Sequence, residues 1–447
     1  MLKHVVSYPG QRVLTRFFSQ PMNSFIGEDA KPIVWLVEIA CLLRMKTAVK
    51  QSLLIFITAR LILAVWSLIV PVLIPAATTP DPVLRPYLGQ PHLTQGISGA
   101  LLEPWQRFDT LHYLRIADEG YAHEADSVFP PLYPLAARLL GYLFGGTTAG
   151  RLWAATLISN AAFIGLLIML FIMTAHDLEQ KSATRALIYL TFFPTGFFLL
   201  APYTESLFIF LALAALWSAR HNGRFLLAGC LGLLASLTRL TGWILVIPLA
   251  YEWWRQWGKP YLAQRRNPNQ ENPHPVKRFY LLLNGVAVGL PGVGTAVFLA
   301  YRWMIGLPSL PTIYQTYWYQ STGLPGTDLM RALQTMLLGG PSRQGEFTLW
   351  FDFFCLILLA VTTYLVFRRL NPTYGLYAVM LLFFMLLPVS EFKPLYSFSR
   401  YTLAFFPTFM ILAQAGKNPW INRLILYPSF ILYLYFSGQY FLWGWVA

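Results

Sequence analysis

The sequence predicts an all-α protein that crosses a membrane many times, and three observations carry that prediction. Of its 447 residues, 56% are hydrophobic and only 12% are charged, far from the composition of a soluble globular domain. The apolar residues gather into runs that reach the ~20 residues a helix needs to cross a bilayer. Aromatic residues are frequent, with 15 Trp and 24 Tyr, and such rings favour the bilayer–water interface. The formal charge of +14 does not point to nucleic acid, because Lys and Arg cluster in short loops between apolar runs, as positively charged cytoplasmic loops do. Cys41, Cys230 and Cys355 lie in or near apolar segments without ligand spacing and offer no disulfide framework.

Residues 1–50 read as an N-terminal extension before a membrane unit spanning 51–447. No acid precedes Glu28, and a second methionine, Met45, opens "MKTAVKQSLLIFITARL" in the manner of a cytoplasmic start. The stretch 1–44 is therefore read as dispensable rather than as a targeting segment. A first span follows at 52–75, and then a long non-spanning stretch at 77–150. Further apolar segments fall at 152–175, 184–201, 205–219, 225–254, 279–304, 348–368, 374–391, 400–416 and 422–446.

The run 225–254 is too long for one crossing, since thirty helical residues extend ~45 Å against a ~30 Å hydrocarbon core. The loop after it, 255–278, holds six basic residues and one acid, which places it on the cytoplasmic side. "SLTRLTG" interrupts the run, so it divides into 225–238 and 241–254 with Arg239 near the outer face. The expected total is eleven segments. Loop 77–150, the segments 305–347 and 392–399 and the C-terminus then fall outside, and "RMKTAVK" puts the N-terminus inside.

Loop 77–150 is too long to be a mere connector and carries seven acids against four Arg. Within it, "RFDTLHYLRIADEGY" packs two Arg, two Asp, one Glu and one His into residues 107–121. Residues 109–121 read as an amphipathic helix lying on the membrane, with Asp109 or Thr110 as its cap and Gly120 as its end. A second such helix is expected at about 132–145, with Leu135, Leu139, Leu140 and Leu143 on one face.

Asp109 stands out. Helix capping is the ordinary role for an aspartate there. The alternative is a general base, since a carboxylate at the edge of a low-dielectric cavity can take a proton from an acceptor hydroxyl. His112 lies one turn on and can share its face. Arg115 and Asp118 are three apart and can pair with each other. Glu205 in "PYTES", Arg239 in "LTRLTG" and Lys393, Arg400 and Tyr401 around "PLYSFSRY" fall on the same side of the membrane. Each alone could be an interfacial anchor. Together they set acids and bases around one site, where cations suit a phosphate. Asp118 and Glu119 are adjacent and diverge on a helix, so no metal site is expected.

"RFDTLHYLRIADEGY" followed by "VFPPLYPLAARLL" resembles the first outer loop of the PIG-V-like family, the relatives of GPI mannosyltransferase 2. There a "WD" stretch with a downstream "IA..GY" precedes "FFP.(Y/F)P". The resemblance continues through "FFPTGFFLLAPYTESLFIFLALAALWSARHNGRFLLAGCLGLLASLTRLTG" and returns at "SFSRYTLAFFPTFMILA", so it covers most of 100–415. Phe108 stands where the family usually has Trp, with Trp105 nearby.

The resemblance implies a GT-C-type transmembrane bundle with its active site in the first outer loop. It also implies inverting transfer of a sugar, typically mannose, from a polyprenyl-phosphate donor on the non-cytoplasmic side, with Asp109 as base. Arg239, Arg400 or Lys393 would meet the lipid phosphate, and His112, Arg115, Glu205 and Tyr401 are further binding candidates. No nucleotide cofactor is implied, and the acceptor would be a glycolipid or another cell-envelope component. The short loops favour a bacterial plasma membrane over the endoplasmic reticulum. A secondary transporter or flippase is the competing class, but no repeat with interrupted helices at matching positions is visible in the two halves.

Overall fold

Inside a bilayer each backbone N–H and C=O must be satisfied within its own segment, which leaves this chain the helix as its means of crossing. The computed structural model describes residues 31–75, 79–82, 84–266, 277–339, 346–390 and 392–446. The N-terminal extension expected over 1–50 lies outside the described residues up to residue 30. From Lys31 the backbone is already helical and enters the first span without a break.

The order begins with α1 (Lys31–Leu73), then α2 (Gly96–Leu102), α3 (Asp109–Glu119) and α4 (Leu132–Gly141) of the long loop. The bundle continues through α5 (Thr148–Asp177), α6 (Gln180–Thr191), α7 (Glu205–Asn222), α8 (Phe225–Thr238), α9 (Val246–Trp253) and α10 (Lys259–Arg266). Next come α11 (Arg278–Val288), α12 (Leu290–Met304), α13 (Leu310–Tyr317) and α14 (Thr327–Leu338). The last are α15 (Glu346–Arg369), α16 (Pro372–Met385), the single turn α17 (Phe398–Tyr401), α18 (Phe406–Ala415) and α19 (Pro419–Phe441). Two-residue strands β1 (Ser321–Thr322) and β2 (Pro388–Val389) pair antiparallel, Ser321 opposite Val389.

The long helices are apolar all round, as membrane helices are. On α1, Ala48, Ser52, Ile55, Ala59 and Leu63 are buried against the bundle. Leu54, Leu61, Leu68 and Val72 lie exposed on the same helix, facing lipid. Among the described residues, three helices are long and apolar enough to cross, at Leu43–Leu73, Thr148–Asp177 and Phe347–Arg369, and α11 with α12 makes a fourth as a pair bent by 45°. The other expected segments are shorter or broken helices, apart from the 23-residue α19 with Pro428 inside it. The protein is an integral membrane protein.

The expected division of 225–254 is present. Helix α8 ends at Thr238, Arg239 is extended (φ −144°, ψ 140°), and a 3-10 stretch from Leu240 to Leu245 leads into α9. Helix α8 lies against α11 and α12 at glycine. A Cβ on Gly229 would strike the Ala287 carbonyl oxygen, and one on Gly232 would lie 2.5 Å from the Pro291 ring. Small residues allow such close backbone approach between membrane helices.

Candidate active site

The positive-φ entry to α3 decides what Asp109 does. Phe108 precedes the helix at φ 47°, ψ −123°, and no side chain caps the helix start. The expectation that Asp109 or Thr110 caps it is thereby overturned. Asp109 is the first helical residue, and its Oδ2 lies 2.7 Å from Nη2 of Arg400. Its backbone amide donates to the Tyr203 hydroxyl at 3.3 Å. The helix does end as expected, on Gly120 at φ 73°.

Arg400 is held from both sides. Its Nε donates to Glu205 Oε1 at 2.6 Å while its Nη2 meets Asp109, and its guanidinium lies over the Tyr203 ring, 4.7 Å from the centroid. Glu205 opens α7, where a carboxylate suits the positive end of the helix dipole. The same Oε1 accepts from Nη1 of Arg239 at 2.5 Å. Arg239 also reaches Thr204 Oγ1 at 3.3 Å, and Thr204 meets the Tyr113 hydroxyl of α3 at 3.2 Å. A chain of alternating charge thus runs Asp109–Arg400–Glu205–Arg239, two anions and two cations. Planar guanidinium forks suit such bridging, and a lysine could not replace them.

The segment that delivers Arg400 is pinned by two buried aspartates. Asp328 of α14 accepts from the backbone amides of Ser390 and Leu395, and Asp352 of α15 accepts from that of Ser399 at 2.6 Å. Burial raises the Asp328 pKa above its ordinary value, and the backbone amides only partly offset this.

These groups surround a cavity of ≈ 430 Å³, within the range of small-molecule sites. Asp109, Arg239, Arg400 and Tyr401 line it together with the aromatic rings of Phe129, Tyr314, Trp318 and Tyr396. Helix α13 closes one side. Trp318 Nε1 donates to the Ala125 carbonyl at 3.2 Å, and the Tyr317 hydroxyl donates to Glu124 at 3.0 Å. Arg302 of α12 donates to the Ser127 carbonyl. The arrangement pairs a carboxylate able to accept a proton with two cations and a wall of rings. Among the described residues no three His, Cys, Asp or Glu side chains gather as a metal site.

Residues 49–250 match the family described as Mannosyltransferase (PIG-V). That stretch, somewhat under half of the chain, is what is similar to the PIG-V-like family. It is 33% identical to GPI alpha-1,6-mannosyltransferase 2 of Cricetulus griseus over 162 residues, which is 34% of this chain and 32% of that protein. It is 28% identical to GPI mannosyltransferase 2 of Yarrowia lipolytica over 245 residues, 49% of this chain and 61% of that protein. The matched stretch therefore spans about a third of the first relative's length. ArnT of Cupriavidus metallidurans bound to undecaprenyl phosphate aligns with a TM-score of 0.41 at 14% identity, covering 88% of this chain and 76% of that one.

The expected site residues divide into two groups. Asp109, Arg239, Arg400 and Tyr401 meet at the cavity, and Glu205 sits behind them as the shared partner of both arginines. His112, Arg115 and Lys393 do not line it. The expected Arg115–Asp118 pair is absent. Arg115 instead grips Asp126 through Nε and Nη2, both at 2.7 Å, while Asp118 pairs with Arg151 at 2.9 Å. His112 turns away from Asp109 to meet Asp126 Oδ1 at 2.6 Å. Lys393 lies with Nζ 3.5 Å from the centroid of the Trp445 ring.

Asp126 is the residue that the sequence did not reveal. It is fully buried. Burial alone would raise its pKa, but hydrogen bonds from His112 and Arg115 outweigh that and hold the carboxyl below its ordinary value. The only signal available was its place in a loop already rich in paired charge.

Proposed function

We propose that this protein is an integral-membrane glycosyltransferase of GT-C type. It would move a sugar, mannose in the first instance, from a polyprenyl-phosphate donor to a lipid-linked or cell-envelope acceptor on the non-cytoplasmic face. The observation that carries the reading is the Asp109 carboxylate on the cavity wall, free of any capping duty and 2.7 Å from Arg400. The match of residues 49–250 to the mannosyltransferase family supports it.

In this mechanism Asp109 takes the proton of the acceptor hydroxyl. The oxygen forms its bond to the anomeric carbon as the bond from that carbon to the phosphate oxygen breaks on the opposite face. The electron pair leaves with the lipid phosphate, and the configuration inverts. Arg239 and Arg400 meet the growing charge on the phosphate, which is where fixed cations stabilise a transition state most. Glu205 fixes the two guanidiniums relative to one another. The rings of Trp318, Tyr396 and Tyr401 give the sugar apolar faces to rest against.

The test is transfer by purified protein supplied with polyprenyl-phosphate mannose and a membrane-lipid extract. Asp109→Asn is expected to lower the rate by about 100-fold or more, with the protein inserted and folded as the wild type. Full transfer by that variant would overturn Asp109 as base. Solute or glycolipid flux in sealed vesicles, with no transfer from any lipid-linked donor, would favour the transporter class.

A further inference from the structure

The cavity accounts for Asp109 and Arg400 but leaves the segment after α19 without a task. Backbone strain concentrates beside that segment. Six non-glycine residues among those described have positive φ, and four of them, Phe108 (47°), Leu395 (55°), Ser397 (62°) and Trp443 (63°), share this neighbourhood. Such angles are costly for a residue with a Cβ and persist only where the surroundings enforce them. Phe108 immediately precedes Asp109, while Leu395 and Ser397 come just before Arg400. Each half of the Asp109–Arg400 pair is therefore delivered by strained backbone.

One ring touches both delivering segments. Trp445 lies 5.6 Å from Phe108 between centroids, nearly perpendicular to it, and 5.5 Å from Tyr396. Its face also takes the Lys393 ammonium at 3.5 Å. Tyr440 and Trp443 complete the hold on Phe108, each 5.6 Å away. The turn that brings Trp445 back is closed by the Gly444 amide donating to the Gln439 carbonyl at 2.7 Å.

We infer that Trp445 is a positioning residue: it clamps Phe108 and the 393–397 segment together, so that Asp109 and Arg400 are held in register across the cavity. The inference rests on the reading of Asp109 as the base. Lys393 then serves as the clamp's polar arm and has no direct part in binding phosphate.

The clamp is tested by steady-state transfer and by hydrogen exchange on the full chain. Trp445→Ala should lower kcat by about tenfold or more, the scale expected when reacting groups shift out of register. KM for the lipid donor should change far less, and Trp445→Phe should restore much of the rate. A comparison at Phe108 separates strain from simple packing. Glycine adopts φ 47° without cost, so Phe108→Gly should retain more transfer than Phe108→Ala, although both lose the ring. Equal rates, or a faster alanine variant, would overturn the idea that the ring enforces the backbone.

Exchange provides a readout that needs no substrate. Amides of 107–110 and 393–400 should exchange faster together in Trp445→Ala. Unchanged exchange would sink the clamp whatever the reaction. Coupled loosening alongside a fully active Asp109→Asn protein would uphold the clamp and discard the base.

Discussion

Arg400 touches Asp109 with one nitrogen and Glu205 with another, so its shape matters as much as its charge. Arg400→Lys keeps the charge but cannot span both carboxylates. Transfer should fall at least about tenfold, through kcat more than KM, because fixed charge at the transition state is lost. Measurement of both constants checks this; a lysine variant with wild-type kcat would remove Arg400 from the chemistry. Asp126 is the second residue with a definite expectation. Its carboxyl is held low in the folded protein, so its contribution is fully present above the ordinary aspartate value near 4 and is lost as pH falls below it. Thermal unfolding followed from pH 7 down to about 3 should show a loss of stability in the wild type that Asp126→Asn does not share. That variant should already be weaker at pH 7, by about 3 kcal/mol, because it leaves Arg115 buried without its counter-charge. At this scale the sequence singled out Asp109, which lies on the cavity wall, and misled about the pairing of its neighbours. The spacing of three between Arg115 and Asp118 is a local rule. The actual partners, Asp126 and Arg151, are brought in by the fold of the loop and of α5.

The elements follow the same division. The break at Arg239 was legible because one thirty-residue helix conflicted with bilayer thickness and with the cationic loop at 255–278. The conformation of the backbone entering α3 was not, because a phenylalanine at φ 47° is a conformation that no local preference of phenylalanine supports. It depends on rings supplied from 440–445, remote in sequence. Helix α8 adds an expectation of its own. At Gly229 a larger side chain must push against the Ala287 carbonyl, which is backbone and cannot rotate away. Gly229→Leu should cost about 1–3 kcal/mol, the usual range for overpacking, and should lower the unfolding temperature in detergent. An unchanged temperature would show that α8 and α11 can part without penalty.

Across the molecule the charged groups settle at opposite ends of the bundle. Helix α5 begins beside the loop and carries Asp177 at its far end, where Arg220 of α7 grips the carboxylate at 2.6 and 2.7 Å and reaches the Tyr374 hydroxyl. Glu252, fully buried, accepts from Thr373 nearby. The orientation reading can be checked in a background without Cys41, Cys230 and Cys355. A cysteine at Glu119, exposed on the loop, should react with a membrane-impermeant reagent applied outside, and one at Arg265 should not. Labelling of Arg265→Cys from outside would invert the assignment of faces. The loop end also bears Leu135, Leu139 and Leu143, which lie 50%, 61% and 78% exposed on α4 and the turn after it. An apolar face so open belongs in the headgroup region, and this sets how reactants would arrive. Molecules anchored in the same leaflet would reach the cavity by lateral diffusion in two dimensions. The rate would then follow their mole fraction among the lipids. Diluting the membrane with inert lipid at constant total substrate would slow the reaction, whereas diluting the whole suspension would not.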